Sequence, residues 1–245
     1  MNVRSFAAAA VLLISPLSLL ALPPVSSTVN QTRPWTSRDI AQVTGKPFAA
    51  TRTTKVVTTG ADGSPVTREI ASKVVRDANG RVRTETPIIH QPDGNADPSN
   101  VAVQIYDPVG HTILSWTTQG KIATLIHLPS QTATAVSASA SSSETESLGS
   151  QSVNNLEAKG ERVMQVMPAG SGGYKESATV VTETWTSSDL EVPVRQVIND
   201  PRRGTITTEL SGISQSEPDA SLFQAPAGYT VQDLTPATKT SGGAQ

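Results

Sequence analysis

The chain contains no cysteine among its 245 residues. That absence excludes disulfides, thiolate-ligated zinc, thiol catalysis and a cysteine-linked lipid anchor. Aromatic residues are scarce, at 4%. Beyond residue 27 the only phenylalanines are Phe48 and Phe223, so a core must be built from Val, Ile and Leu and must be thin. The net charge of −2 gives bulk electrostatics no reason to attract nucleic acid. The charge is uneven, however, at +4 over residues 1–129 and −6 over residues 130–245, a pattern that draws two halves of one folded unit together. After Leu22 no apolar run is long enough to span a bilayer.

What is present begins with an address. Arg4 precedes an apolar run from Phe6 to Leu22, broken by Ser15-Pro16. A positive segment followed by such a run reads as a secretory signal peptide, residues 1–27, with cleavage after Ala21 or Ser27. The competing reading is an uncleaved anchor, but the run is slightly short for a span of about 20 residues and contains a proline. The expected location is therefore periplasmic or secreted, and the cleaved protein is not an integral membrane protein. Residues 28–47 read as a linker with a candidate short helix. Thr36 or Ser37 would cap it, Asp39 would sit in its first turn, and Gly45-Lys46-Pro47 would end it.

From Phe48 to Glu85 the chain is rich in Val, Ile and Thr, interrupted by Asp62-Gly63 and Asn79-Gly80. Both dipeptides are hairpin turn signals. Read as even-numbered turns, they pair Thr59 with Val66, Val57 with Arg68, Lys55 with Ile70, Val74 with Glu85 and Arg76 with Arg83. One face then carries Lys55, Arg68, Arg76, Arg81 and Arg83. The other carries Thr54, Val56, Thr58, Ala71, Val75, Val82, Thr84 and Ile88, more threonine and valine than leucine. A one-residue slip would invert every side chain.

Gln91 to Asn100, with Pro92, Asp93-Gly94 and Asp97-Pro98, reads as a loop. Strands follow near 101–106, 111–116 and 121–128. Residues 130–147 lack large side chains and read as a disordered internal loop. Further strands are expected at 156–167, 175–186, 192–199 and 205–214, with the chain leaving the sheet at Glu217. The expectation is a single β domain over residues 48–232 and a flexible tail at 233–245. The fold class is all-β, with few or no helices.

Catalytic and cofactor patterns are missing from the motifs. His90, His111 and His127 have no tight spacing or carboxylate partners in sequence, so a metal site is not expected. Gly170 to Lys175 lacks the spacing of a phosphate loop, and no serine sits in a nucleophile elbow. Arg202-Arg203 lies at a hairpin tip, where solubility explains it as well as phosphate contact does. Neither an enzyme nor a bound cofactor is expected.

One stretch carries a resemblance. Trp185, Pro193, the turn Asn199-Asp200-Pro201 with Gly204, and Pro218-Asp219-Ala220-Ser221-Leu222-Phe223 followed by Pro226-Ala227-Gly228-Tyr229 resemble the periplasmic outer-membrane lipoprotein carrier superfamily. The likeness is closer to a group of uncharacterised exported bacterial proteins of the same layout, which Gly45-Lys46-Pro47-Phe48 also fits. It implies a single curved antiparallel sheet, an open half-barrel whose concave side can hold acyl chains. Its motifs are turn and packing residues, Phe223 plugging one end of the sheet and Pro226, Gly228 and Tyr229 shaping the tail. The sequence departs from the family in having one short helix candidate, near Trp35, and a threonine-rich face. The implied function is a non-catalytic envelope protein that binds a lipid, an acylated protein or another amphipathic ligand on the concave face, with Val56, Val75, Val82 and Ile88 as the ligand face. The alternative is an envelope structural or interaction protein that binds a protein partner through the basic strand face, Arg68, Arg81 and Arg83, or through a sheet edge.

Overall fold

In the computed structural model, which describes residues 33–89, 96–129 and 143–234, twelve strands form one open sheet. The signal peptide 1–27, His90, residues 130–142 of the expected loop and the tail beyond 234 lie outside the described residues. A short helix α1 (Ser37–Ile40) comes first. Then come β1 (Phe48–Thr59), β2 (Pro65–Arg76), β3 (Val82–Ile89), β4 (Ala96–Asp107), β5 (Thr112–Thr117) and β6 (Ile122–His127). The second half supplies β7 (Ser143–Val153), β8 (Leu156–Met167), β9 (Ala178–Ser187), β10 (Pro193–Asp200), β11 (Gly204–Ser214) and β12 (Thr230–Asp233). The sheet order is β12-β6-β5-β4-β3-β2-β1-β11-β10-β9-β8-β7. Each half is a meander, and the two join where β1 pairs antiparallel with β11. Gly204 permits that junction: a Cβ there would lie 2.0 Å from the Val57 carbonyl oxygen.

The first two hairpins correct the expected register. Thr59 pairs with Pro65, Val57 with Thr67, Val56 with Arg68, Thr54 with Ile70, Val74 with Thr84 and Arg76 with Val82. Each loop has three residues, closed by Gly60 N to Ser64 O at 2.7 Å and by Asp77 N to Arg81 O at 3.1 Å. Only the glycines, Gly63 and Gly80, take positive φ, both at +83°. A two-residue I′ turn would need positive φ at Asp62 and Asn79 as well. Asp77 stabilises the longer loop by accepting from the backbone N–H groups of Asn79 and Arg81. A turn with two positive φ values does occur at Asn154-Asn155, where β7 meets β8.

This register sorts the side chains onto two faces, each covered by one terminal segment. Phe48, Ala50, Val74, Val82 and Tyr106 share a face with Trp35 and Ile40 of the N-terminal segment and with Leu190, Val192, Val194 and Leu210. We call it the Trp35 face. Val103, Ile105, Trp116 and Ala123 share the opposite face with Phe223 and Tyr229 of the C-terminal segment, the Phe223 face. A third cluster, Tyr174, Val180, Ile198 and Ile206 with Val56, lies under the β8–β9 loop.

Three further expectations need correcting. β4 begins at Ala96, inside the expected loop, and its irregularity against Pro87/Ile88 takes up residues 98–100. There Asp97 accepts from the Ser99 backbone and hydroxyl, a local turn that lets the strand continue past the bulge. Residues 143–147, expected in the disordered tract, open β7. An exposed edge strand needs hydrogen bonds to one neighbour and no apolar face, so its Ser/Glu composition hid it. The chain also returns to the sheet after Glu217, β12 pairing parallel with β6.

Arg76 ties these parts together. Its side chain is fully buried, at 0% exposure, and its guanidinium lies 5.0 Å from the Phe48 ring centroid. It donates to the carbonyls of Ile40 (2.9 Å), Lys46 (3.0 and 2.7 Å) and Leu190 (2.7 Å). Burial pushes its pKa down to about 10, against the field of Glu191, so it stays charged at neutral pH. Arg76→Met would leave three carbonyl groups short of a donor, at about 1–3 kcal/mol each when buried. We expect a stability loss of about 3–5 kcal/mol for this variant, read from the denaturant midpoint. Phe223, 6% exposed under the Arg81 guanidinium, closes the opposite face. Phe223→Ala should cost about 3 kcal/mol or more, and an unchanged melting curve would contradict its role as a plug.

Candidate functional site

The Trp35 face is filled unevenly. Toward β10 and β11 it is packed with aliphatic side chains, whereas across β3 to β6 it carries hydroxyls and amides. The register explains the alignment. Arg52 stands opposite Ser72, Thr86 opposite Ala102, and Ala102 opposite Thr117, forming one row across the sheet. Thr84, Gln104, Ser115 and Thr124 form the next row. The N-terminal segment crosses the face but leaves part of these rows bare. The result is a groove of about 860 Å³, with a floor that includes Arg52, Thr54, Thr84, Thr86 and Gln104 and one wall made by residues 34–37. That volume lies in the range of small-molecule sites.

The wall is held by three devices. The Ser37 and Thr84 hydroxyls are 2.8 Å apart in a buried contact. Arg33 forms a two-nitrogen pair with Asp39, at 2.8 and 2.9 Å. Asp39 also accepts from the Thr36 backbone and hydroxyl, which closes the first turn of α1. Burial pushes the Asp39 carboxyl up, but the hydrogen bonds from Arg33 and Thr36 outweigh it and hold the group below the ordinary carboxylate range. Arg76 secures the far end through Ile40 and Lys46.

The electrostatics of the groove are one-sided. Its lining includes Arg52 and Lys121 and no carboxylate. Arg52 lies 5.0 Å from the Trp35 ring centroid, its Nε buried without an acceptor. Among the described residues it makes no hydrogen bond or ion pair, and burial lowers its pKa. The Trp35 indole N–H is likewise buried without an acceptor. Groups of three or more His, Cys, Asp and Glu arranged for a metal ion are absent among the described residues.

The sequence-based site residues do not converge here. Val56 belongs to the Tyr174 cluster, and Val82 is fully buried beneath the N-terminal segment. Val75 packs on the Phe223 face, and Ile88 lies past the β3–β4 irregularity. The one-residue register error mixed the two faces, so these four do not share one surface of the sheet. The three arginines are separated too. Arg68 is exposed opposite Val56 on the Trp35 face. Arg81 pairs with Asp77 and stacks 4.7 Å from the Phe223 centroid. Arg83 pairs with Glu85, donates to the Leu222 carbonyl at 2.8 Å and lies over Trp116, clamping the C-terminal segment. The signal that would have found the groove is the alternation of Thr84 and Thr86 opposite Ala102 and Gln104, read with three-residue loops.

The packing motif residues have structural places. Trp185 packs over Gly160, where a Cβ would come within 2.6 Å of the indole. Pro193 opens β10. Pro226 to Tyr229 forms a hydrogen-bonded turn with Gly228 at φ +82°. The Tyr229 ring meets Trp116 edge-on at 6.3 Å, its hydroxyl facing the Thr117 and Thr118 carbonyls at 3.1 and 3.2 Å.

No family model and no curated protein matches the sequence. Several solved structures resemble the fold. A LolA superfamily protein from Nitrosomonas europaea is 8% identical, with a TM-score of 0.35, over 78% of this chain and 99% of that one. The lipoprotein LppX of Mycobacterium tuberculosis is 17% identical, with a TM-score of 0.36, over 74% and 93%. MucB of Pseudomonas aeruginosa, in a complex structure with MucA, is 17% identical, with a TM-score of 0.39, over 80% and 61%. At 8 to 17% identity the resemblance carries no family to this chain. At TM-scores of 0.35 to 0.39 it assigns neither ligand nor partner to this chain.

The Asp39 latch generates a pH dependence. A carboxylate whose folded pKa is depressed contributes stability above its unfolded value, about 3.9, and loses it as the pH falls through the folded value. Asp39→Asn should therefore lower stability at neutral pH, and the gap to the unsubstituted protein should close on acidification below about pH 4. Urea titrations of both proteins across this range measure it.

Proposed function

We propose that the protein is a non-catalytic envelope protein that binds an amphipathic ligand, a lipid or an acylated protein segment, in the groove on the Trp35 face. The observation that supports it most is the groove itself: about 860 Å³ of open space on a sheet face whose other half is tightly packed. A sheet that needed only to be stable would gain by covering those rows with apolar side chains. The lining, in which Trp35, Ala102 and Ile122 stand beside hydroxyls and Gln104, suits a ligand with both apolar and polar parts. It differs from the wholly apolar cavity that a bare acyl chain would fill. The apolar run at residues 6–22 supports export.

The second reading is a protein partner at a sheet edge. The observation that favours it is β7, whose residues are exposed apart from Leu148 and Val153 and whose outer backbone edge faces no other strand among the described residues. Such an edge can accept an added strand. Arg81 and Arg83 lie against Phe223 and Leu222 of the C-terminal segment, so the edge supports this reading more than the basic strand face does.

Native mass spectrometry with lipid extraction, on protein purified from its source cells without harsh detergent, distinguishes the two. The groove reading expects a stoichiometric co-purifying amphiphile. A mass of polypeptide alone, unchanged after incubation with lipids, would overturn it and favour the edge.

A further inference from the structure

We propose that the groove selects anionic ligands, with Arg52 as the group that receives a phosphate or carboxylate and the surrounding threonines as hydrogen-bonding neighbours. The inference rests on the groove being the ligand site and goes beyond it in naming the ligand's charge and head chemistry. It follows from how unlike the other buried arginines Arg52 is. Arg76 spends its donors on three backbone carbonyls. Arg83 spends its own on Glu85 and Leu222. Arg52 is stacked on Trp35, makes no hydrogen bond or ion pair among the described residues, and lines the groove.

A largely buried guanidinium without an acceptor is costly unless something else supplies one. Here the chain supplies no carboxylate along the groove, and the ammonium of Lys121 lies 5.3 Å from the Tyr229 centroid on the Phe223 face, which leaves Arg52 as the cation of the groove. The Trp35 ring holds the guanidinium from one side, fixing it in place without using its donors. Thr54, Thr84 and Thr86 line the same space with their hydroxyls paired to those of Thr208, Ser37 and Ser72, and a threonine that accepts in its pair keeps its own proton to donate to an anionic oxygen. A guanidinium with hydroxyl neighbours matches a tetrahedral phosphate or a carboxylate, which it can bind through two parallel hydrogen bonds. Neutral amphiphiles offer Arg52 uncharged acceptors, which form weaker hydrogen bonds with a guanidinium than an anion does.

The test compares dodecyl phosphate with dodecyl maltoside, both below their micelle-forming concentrations, by isothermal titration on the exported form of the chain, with inorganic phosphate as competitor. Charge-assisted hydrogen bonds predict that the unsubstituted protein binds dodecyl phosphate roughly ten- to a hundredfold more tightly than the neutral detergent. Arg52→Gln should abolish that preference, whereas Lys121→Gln, whose ammonium lies over Tyr229 on the opposite face, should leave it in place. Competition by inorganic phosphate would identify the anion alone as sufficient; its failure would make the lipid headgroup, with its chain, the recognised unit. Equal binding of the two detergents, with no effect of Arg52→Gln, would overturn anion selectivity and leave the groove reading standing. Binding of neither detergent would overturn both. If Arg52→Gln does not fold, equal affinity of the unsubstituted protein for the two detergents by itself counts against the proposal.

Discussion

The structure depends on one buried cation. Arg76 sits at the end of β2, where the helical segment, the entry to β1 and the β9–β10 turn come within reach of one guanidinium. Leu190 is far in sequence from Ile40 and Lys46, and no strand ladder joins its carbonyl to theirs. Their shared donor holds the N-terminal segment against the sheet and thereby fixes the wall of the groove. A lysine could not replace it, because a single ammonium cannot reach three carbonyls in a planar fork. Gly80 reflects the same closeness: a Cβ there would lie 2.7 Å from the Ala41 carbonyl oxygen.

The scarcity of aromatic residues is met in a consistent way. Trp35, Phe48, Tyr106, Trp116, Tyr174, Phe223 and Tyr229 each have a Lys or Arg charge within 4.7 to 5.5 Å of the ring centroid. The aliphatic stems of these cations extend the apolar cover that few rings provide alone. Two of them, Arg81 and Arg83, fasten the C-terminal segment over the Phe223 face. Both faces of a thin sheet are thus sealed by terminal segments and cation–aromatic stacks more than by a second layer of secondary structure.

Much of the fold is legible in the sequence. Strand composition, the helix α1 (Ser37–Ile40) and the tail plug at Phe223 follow from local chemistry, whereas the open antiparallel sheet was implied by the resemblance. What was not legible was parity. Asp62-Gly63 and Asn79-Gly80 support either a two-residue or a three-residue loop, and the choice was settled by hydrogen bonds from residues outside the dipeptides, at Gly60 and Asp77. One residue of difference moved Arg52 and the threonine rows into view and scattered the valines that had looked like a ligand face. β7 and β12 were missed because exposed edge strands carry no hydrophobic alternation.

A polar groove beside a dry core is an unusual expenditure of sheet surface, and it makes the central claim a claim about place: ligand enters on the Trp35 face, between residues 34–37 and the rows of β3 to β6. Photolabelling with a diazirine-bearing fatty acid, followed by peptide mapping, tests that directly. The account predicts labels on the peptides that carry Trp35, Thr84–Thr86 and Ala102–Gln104. Labels confined to the Phe223 face or to β7, or spread evenly over the surface, would contradict it.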